Sequence, residues 1–272
     1  MNQRAIRAIL RRDLQVVLQS RAVLIPMIVL PLIMVVGLPL ILGLTTRSAS
    51  PSDPNIAEII TLLEQLPPGM LDEFGDLSLI DQALLYSLIY FFAPLFLILP
   101  LMTASVIAAD SFAGEKERKT LEALLYTPTS DGELYFAKVL SPWLAALGVT
   151  ILALIGYSIV VNFVASPIVG RIFFPNLMWI ALTLWVSPAA AGLGLGVMVL
   201  VSSRVNTFQE AYQLGGVVVV PILLLLFGQL GGVIFFSLPF VLFVGLVLWL
   251  IDLALLWFGA RVFARSELLS RL

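Results

Sequence analysis

An all-α integral membrane fold with six transmembrane helices is what the sequence predicts, and three observations predict it. Of 272 residues, 60% are hydrophobic and 12% charged, whereas soluble domains carry roughly a quarter charged residues. Runs of uncharged apolar residues, each long enough to cross a hydrocarbon core that takes roughly 20 helical residues, occur six times along the chain. The basic residues fall almost entirely on one side of those runs, as lysines and arginines kept in the cytoplasm do.

The chain begins with an amphipathic stretch over residues 3 to 20. Ile6, Ile9, Leu10, Leu14 and Val17 recur at helical spacing, while Arg4, Arg7, Arg11 and Gln15, with Arg12 beside them, follow another face. This predicts an elbow helix lying in the membrane interface, basic toward the headgroups and available to a partner. A helical basic flank with no further role is the plainer reading. A cleaved signal peptide fits poorly, because the charges are spread widely before a full-length apolar span.

The first four spans are expected at about 22–44, 84–109, 139–161 and 177–201. The apolar stretch 214–260 is too long for one span, and divides into 214–228 and 238–260 around Gly228-Gln229-Leu230-Gly231-Gly232. Prolines 26, 31, 39, 94, 100, 188 and 221 lie inside spans. Neighbouring helices can satisfy the backbone groups they free, so they predict kinks rather than ends. With the N-terminus inside, thirteen of the 15 basic residues are cytoplasmic and only Arg47 and Arg171 are external. The external loop 45–83 carries Asp53, Glu58, Glu64, Asp72, Glu73, Asp76 and Asp81, turns at Pro67-Pro68-Gly69, and has room for a short helix or two.

The cytoplasmic segment 110–138 is the most charged part of the chain. Between Gly114 and Tyr126 it predicts a short helix in which Glu115 and Lys119 pair and Leu121, Leu124 and Leu125 share an apolar side, closed by Pro128. Ser130 and Glu133 then form a capping box for a helix that continues into the third span. Asp110, at the end of the second span, reads as solvated or capping. A rigid helix of this kind is something a partner can hold and push.

The run Ala113-Gly114-Glu115-Lys116-Glu117-Arg118-Lys119-Thr120-Leu121-Glu122-Ala123-Leu124-Leu125, with Pro128 and Lys138 downstream, resembles the segment after the second span in type-2 ABC transporter permeases. The similarity extends to the basic elbow, the six spans, the acidic external loop and the short polar connection from Ser202 to Ala211. Many members have glycine where this chain has Lys119, a departure that leaves the helical reading intact. The resemblance implies an exporter permease in the cell inner membrane of a prokaryote, both termini cytoplasmic. It also implies two permease subunits facing each other, as a homodimer or heterodimer, each resting on one of two copies of a cytoplasmic ABC ATPase. That ATPase would grip residues 115 to 125 and the elbow, and ATP and magnesium would be bound by it.

No Gly-x-x-x-x-Gly-Lys-Ser/Thr loop occurs, so the chain is expected to need a partner for ATP hydrolysis and to hold no cofactor or metal of its own. With no cysteine and no histidine, the sequence has no thiolate nucleophile, imidazole base or Cys/His zinc site. That leaves little for a membrane-embedded enzyme. An ATP-independent channel or scaffold would show the same hydropathy without needing the charged helix. No basic stripe suggests nucleic acid. Gly192 and Gly196 in the fourth span are spaced for close helix packing. Asp252 is the one acid well inside a span; it should face protein or water with a partner, as a hydrogen-bonded tether or on a passage route. The sparse polar groups in the spans suit apolar cargo and contact with membrane lipids.

Overall fold

The computed structural model describes residues 3–48, 54–64, 77–120 and 131–262, and every regular element among them is helical. The N-terminal helix Gln3–Gln19 precedes six membrane-length helices: span 1 (Val23–Thr46), span 2 (Leu79–Glu117), span 3 (Gly132–Val169), span 4 (Leu177–Ser202), span 5 (Phe208–Leu230) and span 6 (Leu238–Arg261). Several run past the apolar stretches expected from sequence. Spans 2 and 3 are 39 and 38 residues long, because hydrocarbon thickness selects only the apolar part of a helix, while the backbone ladder continues through flanking residues that protein contacts cover. The long 214–260 stretch divides at Gly231–Gly232, where Gly232 has φ 67° and the Val233 and Ile234 N–H groups both bond the Gly228 carbonyl.

Span 2 is the buried centre, with spans 3 and 4 packed on it and span 6 packed on span 4. Spans 1 and 6 turn long rows of apolar side chains outward, among them Ile28, Leu32, Leu250 and Leu253. This is expected where lipid tails replace water around the bundle. Outside the spans, Pro54–Glu64 is a short helix of the acidic loop, with Leu62 and Leu63 buried. The Pro67-Pro68-Gly69 turn lies outside the described residues.

Four prolines sit beside departures from α geometry. The carbonyl four residues before Pro39, Pro94 and Pro188 belongs to a π turn (Ile33–Gly37, Ser87–Phe91 and Leu182–Val186), and the one before Pro221 to the 3₁₀ turn Gly216–Val219. A proline ring clashes with that carbonyl and offers it no N–H, so the helix widens or tightens there. Span 2 has π turns at both ends, and neighbours donate to the carbonyls of each. At one end Tyr157 Oη reaches Leu88 O at 2.6 Å and Trp179 Nε1 reaches Ile89 O at 2.7 Å. At the other, Lys138 Nζ reaches Ser111 O at 2.8 Å.

Close helix approach rests on three glycines of span 4, two of which the spacing picks out. A Cβ on Gly192 would collide with the Asp252 carboxyl, and one on Gly196 would lie 2.8 Å from Leu255 Cβ, so both meet span 6. Gly194 points elsewhere: a Cβ there would stand 2.5 Å from Leu101 O and 2.6 Å from Ser105 Oγ of span 2. Backbone cannot yield as a side-chain tip can, so Gly194→Ala should cost about 1 to 3 kcal/mol through overpacking. Gly148→Ala, with nothing within 4 Å of the new methyl, should be neutral or slightly stabilising. Thermal unfolding in detergent compares the two; equal midpoints would contradict this packing.

Candidate functional site

The run of charges after span 2 is assembled at the end of the bundle that also holds the N-terminal helix, the start of span 3 and the link between spans 4 and 5. Span 2 does not stop at Ala109. It continues through the π turn Asp110–Gly114 into Glu115–Glu117. The helix then breaks: Lys119 has φ 57°, its N–H bonds the Lys116 carbonyl, and Thr120 is helical again. The continuous helix expected from Gly114 to Tyr126 is therefore interrupted, and the Glu115–Lys119 pair it implied does not form. Lys119 occupies a left-handed position that favours glycine. The departure from the expected glycine therefore falls where the backbone turns left-handed. Leu121, Glu122, Leu124 and Leu125 lie outside the described residues, as does Ser130 of the proposed capping box.

Glu115 is buried, and its partners are remote in sequence. Lys138, which is 0% exposed, places Nζ 2.7 Å from Glu115 Oε2 and also donates to Ser111 O and, at 3.2 Å, to Ser111 Oγ. Its ammonium stands 5.5 Å from the centroid of the Phe112 ring. Arg12 reaches Glu115 Oε1 from the N-terminal helix at 3.4 Å. An unpaired ammonium would be very costly in this place, and the carboxylate with two oxygens from Ser111 gives it a full set of acceptors.

The neighbouring charges serve other elements. Arg118 Nη1 bonds Asp110 Oδ1 at 3.0 Å, so Asp110 is buried and ion-paired rather than solvated. The pair closes over Gly114, where a Cβ would lie 2.8 Å from Asp110 Oδ1. Lys116 Nζ donates to Val205 O at 3.2 Å, and Glu117 Oε2 accepts from the Phe208 N–H at 2.9 Å. Glu117, Arg118, Lys119 and Thr120 are exposed.

In the N-terminal helix, Arg7, Arg11 and Gln15 are exposed and Val17 is buried, while the Arg4 side chain lies outside the described set. Asp13, which sequence reading passed over, is 5% exposed, and both its oxygens lack a hydrogen-bond partner among the described residues. Its signal was available: an acid spaced with Ile9, Leu10 and Val17 on the face an arginine-rich helix turns inward. Lys138 carries a similar one, a lone lysine at helical spacing between buried Leu134 and Ser141. Burial raises the Asp13 carboxyl above its ordinary value of 3.8; Lys138 and Arg12 oppose that rise, and Glu115 and Asp110 reinforce it. Farther into the bundle, Asp252 is 1% exposed against Gly192, and its oxygens have no hydrogen-bond partner among the described residues.

A family model described as ABC-2 family transporter protein matches residues 7–238 of this chain. No curated protein and no solved structure matches it.

Two outcomes follow from the buried charges. Lys138→Met should cost about 3 to 5 kcal/mol by taking the closer cation from buried Glu115 and leaving it only the longer contact with Arg12, and Glu115→Gln in the same chain should recover part of that loss; thermal unfolding of single and double variants measures it, and a harmless Lys138→Met would refute the pairing. For Asp13 the sign is set by its raised value. The folded protein keeps this proton to higher pH than the unfolded chain does, so its contribution to stability falls as pH rises above 3.8. Asp13→Asn should therefore gain on the parent as pH rises above about 4, and a gap that does not change with pH would contradict the assignment.

Proposed function

The chain belongs to the ABC-2 transporter family, and from that membership we propose that it is the permease subunit of an ATP-driven exporter whose energy comes from a separate cytoplasmic ABC ATPase. Two permease subunits, alike or different, would form the pathway, with two ATPase copies binding ATP and magnesium beneath them. The segregation of basic residues supports placing both termini and the 110–138 segment in the cytoplasm, in the inner membrane of a prokaryotic cell.

The observation that carries the reading is the Glu115 junction. Glu115 joins the end of span 2 to span 3 through Lys138 and to the N-terminal helix through Arg12, directly beside the exposed run Glu117 to Thr120. Lys116 and Glu117 add the link between spans 4 and 5. A partner that displaces the segment after Arg118 displaces these elements together, because stretching a buried ion pair is costly while moving the set as a body is not. The ATPase would hold Lys119, Thr120 and, from sequence, Leu121, Glu122, Leu124 and Leu125.

Lys119 and Glu122 make the cleanest test of docking, since Glu115, Lys116, Glu117 and Arg118 are all engaged within the chain. Lys119→Glu combined with Glu122→Lys should insert and fold like the parent. It should lose co-purification with the ATPase in the native host, because charges mispaired in an interface cost about 2 to 5 kcal/mol. Parental binding and transport by that variant would remove the coupling assignment.

A further inference from the structure

Span 5 is jointed. Its helix Phe208–Gly215 gives way to the 3₁₀ turn Gly216–Val219 and resumes as Val220–Leu230. A 3₁₀ stretch inside a long helix is a common place for it to bend. The glycines at the joint differ in surroundings: a Cβ on Gly215 would strike the Met198 side chain of span 4, whereas one on Gly216 would meet nothing within 4 Å. The first half is thus seated on span 4 at its far end, and the joint has open space at Gly216 while Val218 of the same turn is buried.

The near end of that half-helix is fastened with unusual completeness. Thr207 Oγ1 accepts from Glu210 N–H and Glu210 Oε2 from Asn206 N–H, both at 3.2 Å, which is local capping. Glu117 adds a cap from a different element, accepting the Phe208 N–H at 2.9 Å, while the adjacent Lys116 grips the Val205 carbonyl with the opposite polarity. A carboxylate suits this place, since the first N–H groups of a helix have no partner within it and carry the positive end of its dipole. One turn on, the Phe208 and Tyr212 rings stack, their planes 12° apart. Tyr212 lines a cavity of about 240 Å³ between spans 1 and 2, whose walls include Val23, Met27, Met102 and Thr103.

We propose that Glu117 is a positioning residue for the transport cycle, latching the start of span 5 to the end of span 2 so that Phe208–Gly215 moves as a lever about Gly216 and carries Tyr212 across the cavity between spans 1 and 2. This rests on the coupling reading above, since the force enters at the segment after Arg118. It gives Glu117 a role inside the permease rather than on the ATPase surface. Glu117 acts through Phe208, and the moving wall is Tyr212.

The chain has no cysteine, so Thr103→Cys introduces a unique thiol into the cavity wall. Its labelling rate is measured in the complex with the ATPase, in liposomes, without nucleotide and with ATP trapped by vanadate. The parent should show a several-fold difference between the two states. Glu117→Ala should abolish most of that difference while ATPase co-purification stays at the parental level. Glu117→Gln, whose amide oxygen still accepts the Phe208 N–H, should restore much of it, a rescue that charge alone would not give. A nucleotide response undiminished in Glu117→Ala overturns the latch and leaves the coupling reading standing. Loss of the ATPase from Glu117→Ala also overturns it, by placing Glu117 in the docking face. Absence of any response in the parent overturns the latch and the coupling reading together.

Discussion

One ammonium group sets the terms for the whole basic end of the molecule. Lys138 is fully enclosed among helices, in surroundings where a bare cation would be intolerable. A carboxylate must come to it, and it comes from Glu115, at the far end of a different span. That requirement fixes where span 2 ends relative to span 3. It also fixes the rotation of the π turn that presents Ser111, and it leaves the second carboxylate oxygen free to hold the N-terminal helix through Arg12. The pair needs no net contribution to stability to have this effect. Its geometry is obligatory because the alternative is an unpaired buried charge.

The opposite end of span 2 is held by different chemistry serving the same purpose. There the donors are neutral, the phenol of Tyr157 and the indole of Trp179, and the acceptors are again carbonyls of a π turn. The two rings stack with centroids 4.8 Å apart, and Phe96 and Phe174 meet Trp179 edge-on. Asn162 completes this end by accepting from the Phe173 and Phe174 N–H groups and donating to the Phe174 carbonyl. Span 2 is thus gripped at both ends through backbone carbonyls that an unbroken α-helix would keep for itself.

The sequence was most readable where the governing length scale is the bilayer's. Six apolar runs yielded six helices, since uncharged length is a property of the chain alone. It was least readable where the partner is distant. Glu115 reads locally as the mate of Lys119, yet its true mates lie 23 and 103 residues away, and no periodicity encodes that. Asp110 likewise reads as a span's wet end until Arg118 folds back over it. The Gly192 and Gly196 spacing found one helix contact, while Gly194, offset from that pair, serves a contact with span 2 that only the assembled bundle defines. Asp252 shows the limit from the other side. Its burial was legible from its position, but the absence of a hydrogen-bond partner among the described residues was not.

Lys119 bears on how stiff the molecule is just where the chain leaves span 2. A residue with a Cβ at φ 57° is held in a narrow well that costs roughly 1 to 2 kcal/mol relative to right-handed geometry, and outside that well it has little room to wander. Glycine in the same place would relieve the strain but would open a wide range of backbone angles to the joint. The lysine therefore exchanges some folding stability for low compliance: a displacement applied beyond the turn reaches Arg118 and Glu117 with little play, where a glycine joint would absorb part of it as backbone rotation.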